Sequence, residues 1–224
     1  MKQLIKLVVP VLLAVVCMPF YQQAAAQAKS FQLALIEDHI DEKELSAIRT
    51  LLRTKKEFTV QLVSLKKLKE NNTGGFTHIW YHRTDTAAVS KEEMVLKATI
   101  QNFVQKGGKL FLSMESMALL NAWGFEQAPL VVRQDTIRDE GFGRPLGFHA
   151  FKAHPVFNGL MGGAYVSKQA SDHIVRKLGF FDKELPVQGK VIGIDWTYIT
   201  FTEQNKLLLE YQVGAGKIIA AGAY

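Results

Sequence analysis

The side chains able to do chemistry lie in three short polar breaks, each directly after an apolar run. Asp38-His39 follows Phe31–Glu37, His82-Arg83-Thr84-Asp85 follows Thr77–Tyr81, and Glu115-Ser116 follows Lys109–Met114. Two carboxylates at a suitable separation run glycosidic acid/base chemistry. Glu115 with Asp38 or Asp85 is therefore one candidate pair, although Glu115 equally suits the positive end of the helix expected after it. Ser116 is a candidate nucleophile with His149, His154 or His173 as base. Its frame, SMESMA, lacks the Gly-x-Ser-x-Gly pattern of a strained serine turn, and a serine at a helix start more often caps it.

Asp38, His39, His82, Asp85 and His149 are oxygen and nitrogen ligand types, but no pair has HExxH-type spacing. Neither a metal nor a cofactor is expected. Binding alone needs apolar faces and a few oriented polar groups, the mixture that sugars require. Tyr81, His82, Arg83 and Trp196 supply it near expected strand ends, with Tyr198 sharing the strand parity of Trp196. The expected ligand-binding set is Asp38, His39, Tyr81, His82, Arg83, Asp85, Ser116 and Trp196, with Glu115 the catalytic candidate. Trp80 and Trp123 read as core, and His78 as an ordinary strand residue.

The elements that must position these groups follow from periodicity. Phe31–Glu37 is a buried first strand. Asp41 and Glu44 have the spacing of a capping box ahead of a helix with Leu45, Ile48 and Leu52 on one face. Phe58–Leu62 is a second strand, Leu65–Glu70 a short helix, and Thr77–Tyr81 a third strand rich in β-formers. Ser90 and Glu93 repeat the capping spacing before a helix striped by Leu96, Ile100, Phe103 and Val104. The Gly107-Gly108 pair ends it, Lys109–Met114 is the next strand, and Glu115 opens another helix. This alternation argues for a parallel sheet covered on both faces, with the three breaks at its carboxyl edge, where ligands usually sit.

Beyond Gly124 the pattern loosens. Leu130–Arg133, Leu146–Phe151 and Val191–Tyr198 read as strands, and His154-Pro155 begins a fixed turn. Lys206–Gln212 and Lys217–Ala223 flank Val213-Gly214-Ala215-Gly216 as a hairpin.

Of the 224 residues, the first 28 read as a secretory signal. Lys2 and Lys6 precede the core of an apolar run, Leu7–Val16, and Ala24-Ala25-Ala26-Gln27-Ala28 offers the cleavage site. Broken by Pro10 and Pro19, that run falls short of the roughly 20 residues of a membrane span. The mature domain is then 29–224, exported to a periplasm or cell surface. Cys17, the single cysteine, leaves with the signal unless it is a lipidation site, a role the bulky Val16 disfavours. Disulfides and a thiol nucleophile are excluded together. The formal charge of +6 is weak and scattered, which argues against nucleic acid as a partner. Tyr224 follows the apolar run directly, as a strand flush with the terminus or as a domain cut from a longer polypeptide with more chain beyond.

FVQKGGKLFLSMES at 103–116, HPVFNGL at 154–160 and EYQVGAGKIIAAGAY at 210–224 together resemble the class I glutamine amidotransferase-like group, which includes the ThuA-like proteins. The resemblance is to domains of exported bacterial carbohydrate-processing proteins. It implies an α/β, flavodoxin-like three-layer sandwich with a mostly parallel central sheet and a C-terminal β-hairpin. In the amidotransferases the elbow after the strand carries a cysteine nucleophile; here it reads Met114-Glu115-Ser116. Neither a thioether nor a carboxylate replaces a thiolate in amide hydrolysis. The resemblance therefore implies a domain without glutaminase activity, with a carbohydrate or small polar ligand as its partner. A glycan hydrolase using Glu115, or a docking domain of a larger enzyme, are the alternatives.

Overall fold

A computed structural model describes residues 31–54, 59–70, 73–137, 147–150, 154–158, 163–165, 173–197 and 200–222. The signal, Cys17, Tyr198 and the side chains of His149, His173 and Trp196 lie outside the described residues.

Five strands form the parallel half of a nine-stranded sheet, in the order β2-β1-β3-β4-β11. They are β1 (Leu33–Ile36), β2 (Val60–Val63), β3 (His78–Arg83), β4 (Lys109–Met114) and β11 (Gly216–Ala221). Leu33, His78, Lys109 and Lys217 stand in one register, so the strands share one carboxyl edge. From β11 the sheet continues antiparallel through β10 (Thr200–Val213), β9 (Lys190–Thr197), β6 (Gly147–Ala150) and β7 (Gly163–Tyr165). A separate antiparallel ribbon pairs β5 (Val131–Ile137) with β8 (His173–Gly179). The flavodoxin-like α/β reading is the fold observed, with an antiparallel wing added to the sheet.

The helices are α1 (Glu42–Thr54), α2 (Leu65–Glu70), α3 (Lys91–Val95), α4 (Lys97–Gln105) and α5 (Leu119–Ala122), α5 following a 3-10 turn over Glu115–Ala118. Ser90 caps α3 as its spacing predicts: its hydroxyl accepts from Glu93 N, and Glu93 reaches back to Ser90 N. The first capping pair behaves differently. Asp41 Oδ1 accepts from Lys43 N, while Asp41 N donates to Thr84 Oγ1 and Glu44 extends to His82. The third strand's own loop has taken the donor that a capping box would satisfy.

After α4 the chain turns on Gly107, at φ 105°. Gly107 N donates to Val104 O and Gly108 N to Phe103 O, at 2.9 and 3.0 Å, closing the helix as a Schellman motif before β4 starts. The hairpin β10–β11 is seated on this corner. A Cβ on Gly216 would lie 1.9 Å from Val104 O, so only glycine lets the strand pass there.

The larger core cluster lies on one face of the sheet. Ile79, Tyr81, Leu110, Leu112, Ile218 and Ala220 belong to one buried cluster with Ile100, Phe103, Val104, Leu119, Leu120 and Trp123 of α4, α5 and its following turn. On the opposite face Leu35 is buried and Ile219 packs against a smaller cluster of Phe157, Ile192 and Leu208, while Trp80 and Phe111 remain partly open.

Candidate functional site

Parallel strands in register deliver the three polar breaks to one edge, and hydrogen bonds tie them together. Thr84 N and Thr84 Oγ1 both donate to His39 O, at 2.9 and 3.2 Å, joining the first break to the second. The second and third are each tied to the end of the neighbouring strand. His82 Nδ1 lies 2.8 Å from Ser113 Oγ, and the Ser116 hydroxyl is shared between Tyr81 O at 2.7 Å and Ser113 O at 2.9 Å.

β3 runs two residues further than its apolar run predicts, through His82 and Arg83. Alternation sends Tyr81 and Arg83 inward, where Glu93 waits on α3. The Tyr81 hydroxyl donates to Glu93 Oε1 at 2.7 Å, and Arg83 Nη1 lies 3.2 Å from the same oxygen. Burial first, and then the bond to Glu93, push the Tyr81 phenol far above its ordinary pKa. Arg83 also donates to Asp85 at 2.8 Å and to the carbonyls of Ala87 and Ala88, so every nitrogen of its guanidinium is engaged. Tyr81 and Arg83 are thus beams beneath the edge, with no surface to offer a ligand.

His39 and Asp85 form a part of the edge that solvent reaches. Their side chains are hydrogen-bonded, Nδ1 to Oδ2, and both are partly open to solvent. Burial acts to raise the Asp85 carboxyl, but its bonds to Arg83 and His39 outweigh it and the net shift is downward. A chain of polar contacts therefore runs His39–Asp85–Arg83–Glu93–Tyr81, from solvent into the core. It fixes the His39 ring by one nitrogen, the arrangement that orients an imidazole for binding or proton transfer. Asp38 is committed elsewhere, accepting from Leu65 N at 2.7 Å at the start of α2. His82 is held between Ser113 and Glu44, whose Oε2 is 3.0 Å from Nε2.

At the third break the residue in the strained conformation is Met114, with φ 64° and ψ −134°. A non-glycine residue with positive φ at a strand-to-helix turn is uncommon and costs on the order of 1–3 kcal/mol. Ser116 is fully buried and serves the turn. The Glu115 carboxylate is ion-paired with Arg176 Nε of β8. Trp196 lies on β9, separated from β4 by β11 and β10. Sequence reasoning missed Arg176, because HIVRKLG shows no clean apolar alternation, and gave Glu93 only its capping role. No group of three or more His, Cys, Asp or Glu side chains able to hold a metal ion occurs among the described residues.

No protein-family model matches the sequence, and no curated protein does. Solved structures share the fold at low identity. A ThuA-like protein from Parabacteroides merdae superposes with a TM-score of 0.53 at 12% identity, over 86% of this chain and 79% of that one. A glutamine amidotransferase from Thermotoga maritima gives 0.50 at 10%, over 87% and 75%. A β-galactosidase from Bacillus circulans sp. alkalophilus gives 0.53 at 9%, over 86% of this chain but only 28% of its own length. The chain thus spans under a third of that enzyme and of the one from Rahnella sp. R3, at 29%. These similarities define the class as a flavodoxin-type α/β domain distantly similar to ThuA-like and glutamine amidotransferase-like folds.

Proposed function

We propose that this is an exported α/β domain without glutaminase activity that binds a carbohydrate or similar polar ligand at the carboxyl edge, as a binding or accessory module. The observation that carries the reading is the elbow. Its strained position holds Met114, a thioether with no nucleophilic capacity, while the neighbouring His39–Asp85 pair is fixed and open to solvent. A braced imidazole beside a carboxylate offers the oriented donors and acceptors that hydroxyl-rich ligands need. Export rests on Lys2, Lys6, the apolar run and the alanine tract. No helix among the described residues is long and apolar enough to cross a membrane. Calorimetric titration with a panel of plant and microbial oligosaccharides tests the proposal: heat with at least one sugar, lost in Asp85→Asn, is expected. Silence across the panel from a folded sample overturns it.

A further inference from the structure

The open face of the parallel half-sheet carries a second site of different character. Partners in parallel register point to the same side, so the rows can be read directly. One row is Leu33, His78, Lys109 and Lys217; the row above it is Leu35, Trp80, Phe111 and Ile219. On β3 burial follows the same alternation: Ile79 and Tyr81 are sealed on the core side, while Trp80 is partly open; at the β1 end of its row Leu35 is buried. The indole is locked, donating to Ser113 Oγ at 2.8 Å with its ring 5.5 Å from that of Phe111. Val156 closes the far side on a turn anchored by His154, whose Nε2 is 2.9 Å from Glu210 Oε2.

Leu33, Trp80, Phe111, Val156 and Ile219 line a half-open cavity of about 370 Å³, within the ~300–1,000 Å³ of small-molecule sites. Its walls are almost entirely carbon, which disfavours a sugar. The polar groups stand at one rim, where Lys109 and Lys217 are register partners. Lys217 is neutralised by Glu210 at 2.6 Å. Lys109 reaches only the Ala215 carbonyl, at 3.5 Å, and has no carboxylate partner among the described residues. Its charge is felt locally, since His78 is shifted downward by burial first and by Lys109 second. A hydrophobic slot with an uncompensated cation at its mouth selects for an apolar body with an anionic end.

We propose that this cavity binds a small free amphipathic carboxylate, its apolar body across Trp80, Phe111 and Ile219 and its carboxylate on Lys109. The site is separate from the carboxyl edge and independent of the carbohydrate reading. Decanoate and decanol, titrated into the whole chain by calorimetry and followed by tryptophan fluorescence, test it. Decanoate is expected to bind about tenfold more tightly than decanol, an increment of ~1.4 kcal/mol. Lys109→Met should bring decanoate down to the decanol level, and Ile219→Glu should abolish both while circular dichroism is unchanged. Three results overturn the proposal: a folded parent that ignores decanoate, unchanged discrimination in Lys109→Met, or a dimer that Ile219→Glu dissociates without any decanoate binding, which would make the face a self-association surface.

Discussion

Arg83 Nη1 lies 3.2 Å from Glu93 Oε1 with the two side chains 1% and 0% exposed. In a pair so enclosed, removing one partner leaves a buried charge, typically at a cost of ~3–5 kcal/mol. Arg83→Met should lower stability by about that amount, measured as the urea midpoint at constant slope. Glu93→Gln should cost less, because the amide oxygen still accepts from Tyr81.

Glu126 gives a pH dependence of known sign. Its carboxylate accepts from the backbone N–H groups of Ala128, Val187, Gln188 and Gly189 and from the Tyr211 hydroxyl, at 2.9–3.3 Å. Burial acts to raise this carboxyl, but the donors outweigh it and the net shift is downward. A depressed folded pKa means stability that is fully present above the unfolded value of about 4.3 and lost as pH falls through the folded one. Denaturation midpoints measured from pH 6 to about pH 3 should fall at the acid end, with a shallower fall in Glu126→Gln.

Gly216→Ala should be severely destabilising, by more than about 3 kcal/mol. The new methyl would meet the backbone oxygens of Val104 at 1.9 Å and Gly108 at 2.5 Å, neither of which belongs to a flexible side chain. Thermal unfolding compared with an Ala221→Gly control on the same strand reads the difference.

Ser116→Ala separates scaffold from chemistry. The hydroxyl's one proton is shared between the Tyr81 and Ser113 carbonyls inside the elbow, so its removal should cost ~1–3 kcal/mol and leave oligosaccharide titrations unchanged. A loss of binding at unchanged stability would return Ser116 to the ligand-contacting set.

The half of the fold that alternates strand and helix was legible because its periodicity is local. Ser90 with Glu93, Gly107-Gly108 and the hairpin glycines each announce their geometry through the one backbone conformation they favour. The misses share a physical cause, a charge placed inside. β3 was expected to stop at Tyr81 because Arg83 reads as surface, yet Glu93 makes its burial tolerable. β8 went unread because Arg176 and Lys177 interrupt its apolar pattern, and its partner β5 is distant in sequence. At the candidate site the residue types were legible, but their employment was not. Nothing in the composition of the breaks says that Asp38 caps a helix, that Arg83 is a beam, or that Glu115 is engaged by Arg176.

β11 lies in the middle of the nine-stranded sheet, between β4 and β10, although it is the latest strand in sequence. Until residues 216–221 dock, the parallel half ends in an open β4 and the antiparallel wing in an open β10, two exposed edges of one unfinished structure. The keystone thus pairs with β4 across a long stretch of sequence, and such non-local pairing is slow and leaves partly made chains prone to association. Docking of residues 216–221 is the step that turns two half-sheets into one.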